Sequence, residues 1–316
     1  MTALLALITV LAWGFWIPVA QIMPGVPQRS RAFYVALGNA VFAASALAVG
    51  GGHVSFGWRG FWLPLAGGMV WTGGGYSAFR ASETIGLARA SGSWTPLNII
   101  VAFVWGTVLF GELDSFTASQ FAVLGAALVF VLAGIFFIVR SQDAQVDAAS
   151  PVEAGSRPKA LLPPAKVRVK KTADSYRRGF LFAGAAGVLW GSYFVPAQWA
   201  KVPAQVANFP LALGVLAAGT VLVMATGGPK RLSPRGTAVQ LSAGLLFGIG
   251  NIALLGLVAR LGTGVGFTIA QLSLLVNVSV GILLFKVPKP GSHAARVAIV
   301  GILLAGIGGI LIGSLR

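Results

Sequence analysis

Ten stretches of about 20 mostly apolar residues run along this chain, each long enough to cross a bilayer as a helix. They are Thr2–Ile22, Ala32–Gly50, Gly60–Thr84, Ser91–Gly111, Phe116–Val139, Gly179–Ala200, Val206–Gly227, Thr237–Leu261, Gly264–Phe285 and His293–Leu315. The composition agrees. Of 316 residues, 56% are hydrophobic and 9% charged, and the mean hydropathy is +0.85. A soluble chain is roughly a quarter charged, so this one has too few charges to cover its surface with water. The reading is an all-α, multi-pass integral membrane protein of ten transmembrane helices in a cell (inner) membrane. The first stretch lacks a basic flank and is rich in Trp and Pro, so it is expected to be a retained helix and not a signal peptide. With no cysteine, disulfides, zinc thiolates and thiol nucleophiles are excluded.

The basic residues set an expected orientation. Only Lys and Arg count, and they accumulate on the cytoplasmic side. Alternate loops hold Arg29, Arg31, Arg80, Arg89, Lys230, Arg231, Arg235, Lys286, Lys289 and Arg296, with nine more in a central segment. The other loops hold Arg59, Lys201, Arg260 and Arg316. Both termini should therefore face outward, with Glu112 and Asp114 in an outer loop. The net charge of +16 is mostly this orientation signal, and no nucleic-acid partner is expected. The central segment, residues 140–178, carries four prolines and a basic run through Lys166, Arg168, Lys170 and Lys171. With no apolar period it reads as a disordered cytoplasmic linker. Its bland role is a tether, and contact with anionic headgroups is the sharper alternative.

The chain also repeats itself. VLAWGFWIPVAQ (Val10–Gln21) returns as VLWGSYFVPAQ (Val188–Gln198), with Trp13-Gly14 and Trp190-Gly191 separated by 177 positions. Ala66-Gly67 and Gly73 match Ala243-Gly244 and Gly250 at 177; Gly86 matches Gly262 at 176; Gly106 and Phe110 match Gly281 and Phe285 at 175. A slowly drifting offset means duplication. Each copy, residues 1–139 and 179–316, holds five helices. An odd number inserts the second copy upside down, giving the inverted repeats common in secondary transporters.

The stretches WGSYFVPAQ (Trp190–Gln198), TVLFGEL (Thr107–Leu113), GLLFGIGNIALL (Gly244–Leu255), VGFTIAQLSLLVNVSVGILL (Val265–Leu284) and the tail GGILIGSLR resemble the glucose/ribose porter family of the drug/metabolite transporter superfamily. The resemblance covers nearly the whole chain outside the linker. It implies uptake of a sugar or related polyol, with the Gln-Leu at Gln271-Leu272 near the substrate, and proton use by some relatives. The sequence departs from that pattern where Phe285-Lys286-Val287-Pro288 replaces a second acidic Gly-Glu.

A neutral polyol needs amide donors and acceptors and aromatic faces for its C–H groups. Asn251 and Gln271 are the strongest candidates, followed by Asn98, Trp13, Trp71, Trp190 and Gln198. Asn39, Thr72 and Asn277 are further embedded polar residues, while Gln21, Gln198 and Asn208 lie nearer helix ends. Asn and Gln in membranes also bond across helices simply to hold them together, at about 0.6 kcal/mol on average, so ligand contact competes evenly with a structural role at Asn251 and Gln271. Trp58 and Trp62 suit an interfacial belt. Gly244–Gly248 and Gly309–Gly313 have the spacing of close helix contacts. Pro18 and Pro196 are paired hinges or static kinks. Gly73-Gly74-Gly75 is no dinucleotide fingerprint, because no strand precedes it.

Coupling needs an intramembrane carboxylate. Glu83 is the nearest candidate, weighed against an exposed ion pair with a neighbouring Arg, so facilitated diffusion stands beside proton symport. An exporter of another small metabolite is the alternative within the superfamily. His53 and His293 lie near loops, so neither metal, cofactor nor enzymatic chemistry is expected. A homodimer is compatible with these features.

Overall fold

A computed structural model of the chain describes residues 1–23, 25–50, 56–85, 87–148, 173–286 and 288–315. They form twelve helices: α1 (Thr2–Gln21), α2 (Gln28–Val49), α3 (Trp58–Ile85), α4 (Leu87–Phe110), α5 (Ala118–Ala148), α6 (Ala173–Ser192), α7 (Val195–Trp199), α8 (Ala204–Ala225), α9 (Pro234–Leu261), α10 (Thr263–Gln271), α11 (Ser273–Leu283) and α12 (His293–Gly313). With α6–α7 and α10–α11 taken as single spans, nine are long and apolar enough to cross a membrane. The tenth span, α3, is diluted by glycines and by Arg59, Arg80 and Glu83. Its 28 residues still reach about 42 Å, enough for a bilayer core of about 30 Å. The fold is an all-α membrane protein.

Two expected spans are broken. The sixth breaks at Tyr193-Phe194, with Pro196 in the first turn of α7 (Val195–Trp199). Its ring cannot accommodate the carbonyl four residues back, at Ser192. The Ser192 hydroxyl also donates to the Val188 carbonyl at 2.7 Å and accepts from Trp105 Nε1 at 2.7 Å. The matching Pro18 lies inside a continuous α1, whose counterpart of Ser192 is Phe15, without a hydroxyl. The ninth span breaks at Leu272, which corresponds to Pro96 at an offset of 176. α4 continues through Pro96, so the break at that level belongs to the second copy alone. α5 and α6 extend to Ala148 and from Ala173, so both flanks of the expected linker are helical. Residues 149–172 lie outside the described residues, and so does the disorder expected of them.

The duplication reappears as paired contacts. A Cβ at Gly14 would overlap Val276 and crowd the Ser273 carbonyl; one at Gly191 would meet Val101 and the Asn98 carbonyl, the same crossing shifted by 175–177. Gly38 and Gly244 let α2 and α9 touch backbone to backbone, and Gly214 and Gly68 do the same for α8 and α3. Gly248 also lies on α2, against Asn39 and Phe42, so the Gly244–Gly248 spacing forms a helix seam. Gly134 brings α5 against Gly301 and Ala305 of α12. The most extensive helix pairings, α5–α12, α3–α6, α1–α9, α3–α8 and α2–α9, each take one helix from each repeat.

Candidate functional site

Half-way along the spans, α1, α3, α4, α6 and α9 contribute to one aromatic cluster. Phe247 is its hub: its ring lies 4.8 Å from Trp71, 5.3 Å from Trp16 and 6.3 Å from Trp13, where the planes are stacked. Trp71 lies 6.4 Å from Trp190, which meets Trp94 edge-on at 5.6 Å. Glycine makes these positions available. A Cβ at Gly250 would overlap the Trp13 indole, and one at Gly74 would lie 2.6 Å from Trp190 Cδ1. Each of the two repeated tryptophans thus sits on a glycine of the opposite repeat, Gly250 and Gly74, which stand 176 positions apart. They differ at the nitrogen: Trp190 Nε1 donates to the Trp71 carbonyl at 3.1 Å, whereas Trp13 Nε1 has no protein partner.

Two buried amides flank this cluster. Asn251 (1% exposed) follows Gly250 and stands one helical turn from Phe247; neither of its side-chain polar atoms has a protein partner. Asn98 (4% exposed) lies where α4 crosses Gly191, and its Oδ1 has no protein partner. An unpaired buried polar group costs about 1–3 kcal/mol, and such groups beside aromatic faces at mid-membrane are suited to accept a ligand's hydroxyls. Among the described residues charge is absent from this level, since the Lys, Arg, Asp and Glu of these helices all lie near their ends. Asn39 and Asn208 are also buried without protein partners. Gln271 is half-buried at the end of α10, beside the helix break. Among the described residues no His, Asp and Glu group could hold a metal ion.

Gln198 and Glu83 stand apart from the cluster. Glu83 pairs with Arg80 at 3.2 Å, with both side chains more than half exposed. Gln198 joins a polar knot at the opposite end of the molecule. There Gly111 (φ 60°) turns the chain, the Glu112 N–H bonds back to the Gly106 carbonyl at 3.1 Å, and the Glu112 side chain reaches α10. Glu112 Oε1 accepts from the Thr263 N–H at 2.5 Å, the Thr263 hydroxyl at 2.6 Å and Gln198 Nε2 at 3.3 Å; Oε2 accepts from the Gly264 N–H at 3.3 Å. The Thr263 hydroxyl also lies 2.6 Å from Gln198 Oε1, so its one proton is shared between two acceptors. A carboxylate is well placed at a helix N-terminus, where the free N–H groups and the helix dipole favour negative charge.

Packing differs between the two ends. At the Glu112 end α4 packs on α10, and every residue from Thr263 to Ala270 is buried. Farther along, α11 leaves α4 and packs on α1, and residues 271–279 are all half-buried. Sequence reasoning missed Phe247, Glu112 and Thr263 as partners. Phe247 reads as ordinary core, and the Glu112–Thr263 contact spans 151 positions.

Comparison with known proteins now bears on this arrangement. The profile of the family described as sugar transport protein matches residues 4–162 and 164–315. The chain belongs to the sugar transport protein family. Relatives include a Listeria innocua protein provisionally named for sugar uptake, 25% identical over 99% of this chain and 98% of its own. A Priestia megaterium protein named as a probable glucose uptake protein is 21% identical over 99% of each chain. A solved crystal structure agrees at a TM-score of 0.64 and 17% identity, covering 99% of this chain and 97% of that one, which shows the shared fold. The sugar transport protein family profile matches nearly the full span, so both halves and the polar knot lie within the compared region.

Proposed function

We propose that this protein takes up a neutral sugar or related polyol through the inner membrane by alternating access. The observation that carries the reading is the pairing of the partnerless Asn251 amide and the unpaired Asn98 Oδ1 with the Trp13–Phe247–Trp71–Trp190 faces in an uncharged zone half-way along the spans. Sugar hydroxyls supply the missing hydrogen bonds, and C–H faces rest on the indoles. Inverted repeats place such a site at their interface and expose it to each side in turn. In this reading the Glu112 end is the outer end and is closed, while α4 and α11 part toward the cytoplasm. Among the described residues no carboxylate stands at the level of the cluster, so uptake runs down the sugar gradient without proton coupling.

The test is uptake of a panel of labelled monosaccharides into proteoliposomes, with and without an imposed pH gradient. Saturable uptake of one sugar, unchanged by the gradient, is the expected result. Protein that is folded and inserted yet moves none of them overturns the substrate class. Acceleration by the gradient overturns the uncoupled mechanism.

A further inference from the structure

The contacts of Glu112 go beyond holding a loop in place. Its carboxylate comes from the first repeat, and the groups that donate to it, the Thr263 N–H and hydroxyl, the Gly264 N–H and the Gln198 amide, all come from the second. The seat is shaped for it. A Cβ at Gly106 would overlap Oε2, and one at Gly262, itself at φ 88°, would lie 2.7 Å from the carboxyl carbon. The knot spans α4, α7 and α10, the elements that close this end. The opposite end lacks its acidic counterpart: at the repeat offset of 175, Lys286 takes the place of Gly111 with the same left-handed turn (φ 54°), and Val287 takes the place of Glu112.

We propose that Glu112 is the positioning residue of the access step, latching the outer end shut by joining α4 to α10 and α7. The proposal rests on the alternating-access reading above. When the outer end opens, the carboxylate leaves the α10 N-terminus and is hydrated. The latch therefore biases the resting protein toward the state open to the cytoplasm, and it does so at one end only.

The chain has no cysteine, so an introduced thiol is a unique reporter. In the full-length protein, Ala102→Cys places one on α4 at a fully buried position one turn inward from Gly106, and Ser279→Cys places one on half-buried α11. Each is labelled with a membrane-impermeant maleimide applied from its own side, with and without Glu112→Gln. Glu112→Gln is expected to speed labelling of Ala102→Cys about tenfold, equivalent to about 1.4 kcal/mol, while slowing that of Ser279→Cys. Thr263→Val, which removes one donor, should move both rates in the same directions by less. Unchanged rates overturn the latch. Faster labelling at both positions also overturns it, because that is general loosening and not a shift between two states. Sugar uptake is scored separately on the same protein. Reciprocal labelling without uptake leaves the latch standing and removes the substrate; uptake with unchanged labelling does the reverse.

Discussion

Replacing Asn251 by Ala should make the protein more stable and less active. The amide is 1% exposed and both its polar atoms lack protein partners. Each such group costs about 1–3 kcal/mol, so removing both relieves roughly 2–6 kcal/mol. Against this, the truncation leaves a hole of one to two water volumes, roughly 30–60 Å³. At about 24 cal/mol per Å³ that hole costs about 0.7–1.4 kcal/mol. Relief wins even at the low end of its range against the largest hole, and a net gain of at least about 0.6 kcal/mol is expected. Denaturant unfolding of the purified protein in detergent, beside sugar uptake in proteoliposomes, reads both quantities. A gain in stability with uptake reduced tenfold or more identifies a group kept for a ligand. Loss of more than about 1 kcal/mol, the worth of an ordinary internal hydrogen bond, would refute the reasoning. It would mean that Asn251 is helix-to-helix glue.

Two further outcomes separate the tryptophans and the exposed acid. Trp190→Phe breaks the 3.1 Å bond to the Trp71 carbonyl and should cost about 1 kcal/mol of stability, whereas Trp13→Phe, in which relief of the unpaired Nε1 offsets the lost indole contacts, should leave stability nearly unchanged and weaken sugar binding; unfolding curves and KM for the two variants check the contrast. Glu83→Gln removes an exposed ion pair with Arg80, so stability should move by less than about 0.5 kcal/mol, with uptake and its pH profile unaltered.

The helices were readable because a membrane span must be a long apolar run, and the repeat because Trp-Gly, Pro and Gln returned at a nearly constant offset. Trp13, Trp71, Trp190, Asn98 and Asn251 could be nominated because polar or indole groups in such runs need a reason to be there. Their grouping around Phe247 could not, since it depends on how α1, α3, α6 and α9 cross. Gln198 shows the limit well. Its place at a helix end was visible, but its neighbours Glu112 and Thr263 lie 86 and 65 positions away. The break at Leu272 has no proline to announce it, while Pro96 and Pro18 sit in helices that continue through them.

The seams through Gly38, Gly68, Gly214 and Gly244 bind helices of one repeat to helices of the other, and the two five-helix units are interleaved like clasped fingers. A body that moves during transport therefore cannot be a repeat by itself; it must mix helices from both halves. The covalent link between Ala148 and Ala173 is then not what holds the two halves together. A protease cut there should leave the folded protein in one piece, and the two halves made as separate chains should find each other in the membrane and assemble a working whole.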